Sequence, residues 1–326
     1  MQNKDEYSIV FITNNDYVRP TVVAIKSVLD TATDSGNIHF YVLGDCLSDD
    51  SINLLNGIGH KKLTIMPSEH LIAKYCNVNV DRHVSTSALL KFFIPQIFAD
   101  LDRVLYLDGD IVVRGDLTEL YNTDIDDVYG AVVKDTLCVL NRKYMDEVQI
   151  TNEYYFNSGV MLLNLERMRA DGITEKLLHY RLNVKQQFMD QDAFNAVIGH
   201  SVKFVSYRYN FLNYYLTVMS PKKLSEFFDE QLPETISEIY NSCVILHLGG
   251  REKPWNTTLP ILTDMYLPLA HQIGWHPTVY TVRQLARRRR WLKFLHKITF
   301  GKTRQKYRSL YKAITLPTVE IKNEDI

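Results

Sequence analysis

Arg103-Val104-Leu105-Tyr106-Leu107-Asp108-Gly109-Asp110 is an apolar run that stops in two carboxylates one glycine apart. Val104 to Leu107 is short, apolar and bounded by charge, the pattern of a buried strand. In open α/β sheets ligands bind beyond the carboxyl ends of the strands, so Asp108 and Asp110 stand where a ligand is expected. Residues two apart on an extended chain point to one side, and two carboxylates on one side suit a hard divalent ion such as Mg²⁺ or Mn²⁺. Gly109 lets a ligand approach the backbone. A plain Asp-Gly-Asp turn after a strand has the same sequence; partners elsewhere in the chain decide between the two.

Outward from this stretch, strand-like and helix-like segments alternate. Strands are expected at Ser8–Ile12, His39–Leu43, Lys62–Met66, Arg103–Leu107, Tyr129–Val133, Val160–Leu163 and Val244–His247. Helices are expected at Arg19–Thr31, Asp49–Gly57, Ser85–Phe98 and Asp190–Ile198. Such alternation predicts an α/β fold with a mainly parallel central sheet and helices on both faces. With 326 residues, 46% of them apolar, the chain can bury one large core. The body is expected to span residues 1–277, followed by a separate segment over 278–326.

That last segment differs in charge. Formal net charge is −1, yet Arg283 to Lys312 holds twelve Lys or Arg and no Asp or Glu. Trp291, Phe294, Leu295 and Ile298 recur at helical spacing, as do Tyr307, Leu310, Tyr311 and Ile314, with cations between them. A basic amphipathic helix with aromatic residues on its apolar face predicts contact with an anionic membrane surface; a surface helix packed on the body has the same pattern. No recognised nucleic-acid module accompanies the basic segment, so nucleic acid is not expected as a partner. The four cysteines are far apart and match no zinc or redox spacing. With no secretory pattern at Met1 and no run near the ~20 apolar residues of a membrane span, the chain is expected to be cytoplasmic and peripheral on the inner face of the membrane.

Other polar groups stand at strand ends. Val244-Ile245-Leu246-His247 ends in histidine and leads into Leu248-Gly249-Gly250-Arg251-Glu252-Lys253-Pro254-Trp255. Imidazole is a metal ligand, glycine backbone N–H groups can approach phosphate oxygens, and Lys253 would neutralise charge. Asn14-Asn15-Asp16-Tyr17 follows the first strand, where it reads as a nucleobase-binding loop or a plain turn. Asp135 follows another strand, Asn157-Ser158-Gly159 precedes one, and Asp190-Gln191-Asp192 opens a helix, where Asp190 also suits an N-cap.

Together, and in this order, these segments resemble glycosyltransferase family 8, above all its bacterial lipopolysaccharide and lipooligosaccharide galactosyl- and glucosyltransferases, over roughly residues 7–275. Asn14-Asn15-Asp16-Tyr17 resembles the uridine loop and Tyr106-Leu107-Asp108-Gly109-Asp110 the Asp-x-Asp motif. Glu153-Tyr154-Tyr155-Phe156-Asn157-Ser158-Gly159-Val160 resembles the sugar-contacting segment, and Asp190-Gln191-Asp192 the Asp-Gln-Asp motif. Arg208-Tyr209-Asn210-Phe211 is similar to a segment near the acceptor, and His247-Leu248-Gly249-Gly250 with Lys253-Pro254-Trp255 to the late metal and phosphate motif.

The resemblance implies a GT-A type nucleotide-sugar-binding fold and a retaining, Mn²⁺-dependent transferase (Mg²⁺ being the other candidate ion) that uses a UDP-sugar donor and a glycan or glycolipid acceptor. It implies Asp108, Asp110 and His247 as metal ligands. Thr13, Asn14, Asp16, Tyr17, Val84, Lys91, Asp108, Gly109, Asp135, Asn157, Ser158, Gly250 and Lys253 would surround the donor, and Gln191 and Asp190 would act at the reacting sugar. The family usually has arginine where Lys91 stands; lysine keeps the charge and loses the planar fork. An amide is a poor nucleophile, so Gln191 points to front-face attack by the acceptor hydroxyl. Two rival readings remain at this level: a haloacid dehalogenase-type phosphohydrolase, which also carries Asp-x-Asp after a strand, and a non-catalytic membrane-bound sugar-binding protein.

Overall fold

A computed structural model describes residues 6–68, 86–250, 252–259, 261–281, 283–284, 286–288 and 290. They divide into two compact units, one ending at Leu248 and the other beginning at Gly249.

The first unit is built on a seven-stranded sheet. Its strands are β1 (Tyr7–Asn14), β2 (Ile38–Asp45), β3 (Leu63–Pro67), β4 (Arg103–Leu107), β6 (Gly130–Asp135), β7 (Tyr155–Asn164) and β8 (Lys203–Phe204), in the order β3-β2-β1-β4-β7-β6-β8. Neighbours run parallel except β7, which is antiparallel to both β4 and β6. Near-continuous apolar strands such as β1, whose six interior residues are all buried, are what a sheet covered on both faces requires. The sequence order of the strands reverses between β1 and β4, and a crevice opens beyond their carboxyl ends at such a switch point. The mainly parallel α/β architecture expected from the sequence is therefore the observed one.

β5 (Ile111–Val113), β9 (Phe211–Leu212) and β10 (Ile245–His247) form a second, three-stranded sheet in the order β5-β10-β9. β10 is antiparallel to β5, with His247 opposite Ile111. The late strand ending in His247 thus exists, but outside the main sheet. Its pairing brings His247 back to the residue that follows Asp110.

Three local departures from the sequence reading bear on the site. The helix expected over Ser85–Phe98 is two, Thr86–Phe92 and Ile94–Ile97; Ser85 itself lies outside the described residues. Pro95 has no N–H to give to the carbonyl of Lys91, four residues back, and that breaks the helix. β7 is much longer than the expected Val160–Leu163, because its site-bearing residues Asn157 to Gly159 are themselves extended and buried. Between Val132 and Lys134 the β6–β7 register slips, from Val132 opposite Met161 to Lys134 opposite Phe156, so Asn157–Gly159 leave the β6 ladder. A bulge of this kind re-aims side chains beside a site.

Cys138 and Cys243 are buried free thiols and Cys46 is an exposed one. Burial pushes the Cys243 thiol up to about 12. In the second unit the helix Leu262–Gln272 buries Tyr266 between Trp255 and Trp275, with ring centroids 4.9 and 6.1 Å away. No helix among the described residues is long and apolar enough to cross a membrane. The basic segment Arg283–Lys312 lies largely outside the described residues.

Candidate active site

Asp108 ends the β4 ladder: its N–H donates to the Gly159 carbonyl at 2.7 Å. Asp110 sits two residues on, and the Leu248 N–H donates to its carbonyl at 2.8 Å. These backbone bonds bring three ligand atoms together. His247 Nε2 lies 3.3 Å from Asp110 Oδ1 and 3.8 Å from Asp108 Oδ2, and the three side chains offer ligand atoms all within 4.8 Å of one another. Two carboxylate oxygens and one imidazole nitrogen suit Mn²⁺ or a similar divalent ion, so the donor set fits the metal implied by the sequence.

The approach is close because β7 carries no side chain here. A Cβ on Gly159 would fall 2.2 Å from His247 Cε1 and 2.6 Å from Asp108 Oδ2. Gly109 has an internal reason as well as the expected one. A Cβ there would meet Thr21 Oγ1 at 2.4 Å, so the glycine admits the helix Val18–Thr31 as well as lining the cleft.

A cavity of about 420 Å³ opens beside the cluster, in the crevice between the ends of β1 and β4. Thr13, Asn14, Tyr17, Asp108 and Asp110 line it together with Lys91, Ser158, Asp190 and Gln191. Asn14 Oδ1 accepts the N–H groups of Asp16 and Tyr17, both at 3.0 Å, so Asn14 shapes the turn; Asp16 and Tyr17 are exposed at its tip. Asn15 is occupied elsewhere: its amide donates to the Cys46 carbonyl and accepts from Ser48 N–H and Ser51 Oγ.

Lys91 is buried with its ammonium 2.6 Å from Asp190 Oδ2, 3.4 Å from Asp108 Oδ1 and 4.5 Å from the Tyr106 ring centroid. Burial alone would lower its pKa; Asp108 and Asp190 reverse that and hold the ammonium above its ordinary value. Ser158 Oγ also donates to Asp190, at 3.1 Å. Gln191 Nε2 lies 3.4 Å from Asp135 Oδ2, and Asp135 accepts the Tyr214 hydroxyl at 3.2 Å. Burial raises the Asp135 carboxyl above the ordinary range, against the hydrogen bonds from Leu137 and Tyr214.

The structure therefore brings together Thr13, Asn14, Tyr17, Lys91, Asp108, Gly109, Asp110, Asp135, Asn157, Ser158, Asp190, Gln191 and His247, with Asp16 on the adjoining loop. Val84 lies outside the described residues. Gly250 and Lys253 belong to the second unit. Gly250 has φ +84°, a conformation that favours glycine, and the Lys253 ammonium lies 5.8 Å from the Trp255 ring centroid. Their expected contact with a diphosphate rests on the sequence motif.

Several residues escaped the sequence reading. Tyr106, read as strand core, donates to Asp108 Oδ1 at 2.6 Å. Asn210, which the resemblance sets near the acceptor, is fully buried against His247. In the aromatic run Tyr207 to Tyr215, Tyr207, Tyr209 and Tyr215 are core, while Tyr214 reaches Asp135. Asp192, the last residue of Asp-Gln-Asp, is fully buried. It accepts from the hydroxyls of Tyr144 and Tyr155 (the latter at 2.6 Å) and from Phe188 N–H at 2.9 Å. Apart from Tyr106–Asp108 and Phe188–Asp192, these bonds join positions far apart in sequence, and the trace in the chain is a polar group embedded in an apolar or aromatic run.

Comparison with known proteins identifies the family and the fold. A lipopolysaccharide 1,2-glucosyltransferase of Escherichia coli is 29% identical over 268 residues, 78% of this chain and 75% of that one. A Haemophilus influenzae relative is 24% identical over 210 residues, and the chain spans 63% of its length. The galactosyltransferase LgtC, solved with donor and acceptor sugar analogs, is 26% identical with a TM-score of 0.65, covering 83% of this chain and 97% of that one. The bifunctional glycosyltransferase WbbM superposes with a TM-score of 0.70 at 20% identity over 83% of this chain and 52% of its own, a likeness of fold. The mixed α/β sheet is that of these GT-A-like neighbours. The profile described as glycosyl transferase family 8 matches residues 8–258, and the chain belongs to that family.

Proposed function

We propose that this protein is a retaining hexosyltransferase that moves galactose or glucose from a UDP-sugar to a glycan or glycolipid acceptor, with Mn²⁺, or alternatively Mg²⁺, at Asp108, Asp110 and His247. The observation that carries this is the convergence of those three ligands beside a cavity that Asp108, Asp110, Asp190 and Gln191 line. Relatives named as lipopolysaccharide glucosyltransferases, and LgtC with its two sugar analogs, support a lipopolysaccharide-type acceptor. Family membership speaks against a haloacid dehalogenase-type phosphohydrolase.

The bound ion would supply Lewis acidity at the diphosphate oxygens. The remaining work falls to side chains. Lys91 fixes Asp190 and Asp108 in one geometry and adds positive charge at the cavity wall. Asp190 and Gln191 then orient the sugar and stabilise an oxocarbenium-like centre. Gln191 is neutral and its carbonyl oxygen is already hydrogen-bonded, which disfavours a covalent sugar–enzyme intermediate of the kind that retaining hydrolases form on a carboxylate. The acceptor hydroxyl instead attacks the anomeric carbon on the face that the diphosphate leaves. The carbon–oxygen bond to phosphate breaks, and the hydroxyl proton passes to the departing phosphate oxygen. The basic segment Arg283–Lys312 would hold the enzyme against an anionic inner membrane surface, a proposal that rests on its charge.

The test is a panel of UDP-sugars with Mn²⁺, scored for hydrolysis without acceptor. Turnover of one hexose donor is expected; no turnover of any member would overturn the reading. A glycosyl adduct trapped on Asp190 would overturn the front-face step alone.

A further inference from the structure

We propose that Asn210 is a positioning residue that sets, through one directional chain of amides, both the proton placement on His247 and the face that Gln191 turns toward the donor. The proposal deepens the donor-site reading above and rests on it.

The direction of the chain follows from one backbone group. Gly159 N–H, which can only donate, lies 2.9 Å from Asn157 Oδ1 and fixes that atom as an acceptor. Asn210 meets the same oxygen at 3.0 Å, so it must present its NH₂ there. Its carbonyl oxygen then faces His247 Nδ1 at 2.9 Å, and Nδ1 must carry the ring proton. The Nε2 lone pair is left directed at Asp110 and Asp108, as a metal ligand requires.

In the other direction, Asn157 gives its NH₂ to Gln191 Oε1 at 2.8 Å, and Ser158 N–H adds a second donor at 3.3 Å. Gln191 Nε2 lies toward Asp135. The Gln191 oxygen is consumed on both sides, so the group it offers the sugar is N–H, a donor and not an attacking lone pair. Asn210 and His247 are 0% and 3% exposed and Asn157 is 8% exposed, so water does not compete for these bonds. Two buried amides, Asn210 and Asn157, thus tie the proposed metal ligand to Gln191, although His247 ends β10 and Gln191 lies on the helix Met189–Ile198.

The experiment compares Asn210→Ala and Asn210→Asp with the wild type in four readouts: Mn²⁺ affinity by electron paramagnetic resonance without sugar, kcat and KM for UDP-sugar hydrolysis, ¹⁵N chemical shifts of the His247 imidazole, and thermal melting. Asn210→Ala is expected to weaken Mn²⁺ binding about 10–100-fold, the usual cost of losing the group that orients a ligand histidine, and to lose the pure Nδ1–H tautomer. Asn210→Asp keeps an acceptor for His247 but sets a carboxylate oxygen against Asn157 Oδ1. It is expected to retain Mn²⁺ affinity and the tautomer while kcat falls at least about tenfold, a change of about 1.4 kcal/mol in the barrier.

Unchanged affinity and kcat in Asn210→Ala would overturn the proposal. So would equal losses in both variants that track a fall in melting temperature. If the wild type binds no Mn²⁺, the donor-site reading fails on its own, and the His247 tautomer in wild type against Asn210→Ala still decides the orienting role.

Discussion

Asp108 and Asp192 are both acidic residues close to the end of the sheet, and their surroundings are opposite. Asp108 Oδ1 is held by Tyr106 and Lys91 while Oδ2 faces His247 at 3.8 Å, alongside a second carboxylate, Asp110. That cluster brings acceptors together and asks for a cation. Asp192 is fully buried, and both its oxygens receive donors from Tyr144, Tyr155 and Phe188. It has nothing left to bind. Tyr144 in turn receives the Gln187 N–H at 2.8 Å, so the Asp192 carboxylate pins the segment that leads into Asp190 and Gln191. One carboxylate faces the proposed metal site and the other holds the neighbouring chain in place.

The contrast breaks if the two sites respond alike to losing charge. Asp110→Asn is expected to cost the most activity, about 10³-fold in kcat/KM, or about 4 kcal/mol. Its urea midpoint without metal should be unchanged or higher, since one of two neighbouring negative charges is gone. Steady-state kinetics with urea unfolding checks both halves. Asp192→Ala is expected to reverse the pattern. Stability falls by about 2–4 kcal/mol because buried tyrosine hydroxyls and an N–H lose their acceptor, while Mn²⁺ affinity stays near that of the wild type. Equal metal affinity losses in the two variants would erase the distinction.

Smaller effects sharpen it. Lys91→Arg puts a fork where a point charge bridges Asp108 and Asp190. A shift of a few-fold in KM among competing UDP-hexoses is expected, about 0.5–1 kcal/mol, read from a donor panel; no shift for any donor would make Lys91 a purely structural charge. The smallest effect lies far from the site, at Asp116. Burial would raise its carboxyl, but hydrogen bonds from Thr118 and Thr33 draw it down to about 2. A depressed carboxyl contributes stability above its unfolded value of 3.8 that is lost as pH falls through about 2. Asp116→Asn should therefore melt slightly below the wild type at neutral pH, and the gap should close in acid. A gap that widens toward pH 2 would contradict the assignment.

The strand ends were legible because each couples an apolar run to a polar stop: Asn14 ends β1, Asp108 follows β4, Asp135 ends β6 and His247 ends β10. The Pro95 break was written in the chain but masked by the apolar face around it. β5 was too short to separate from the turn that precedes it. The antiparallel course of β7, the register slip beside Asn157 and the Asn210 bridge were not legible, because each is decided by which distant segment supplies the missing donor. Local pattern shows where polar groups stand; it does not show which of them meet.

The split of the proposed metal ligands between two sheets has a thermodynamic consequence. Asp108 closes a strand of the seven-stranded sheet, and His247 closes a strand of the three-stranded one. An ion that binds the assembled cluster binds the native chain and not the unfolded one, so by mass action each tenfold excess over its dissociation constant adds about 1.4 kcal/mol to folding. Melting temperature should climb with the logarithm of Mn²⁺ concentration in the wild type and stay flat in Asp110→Asn. The supply of the ion would then govern how long the folded enzyme survives as well as how fast it works.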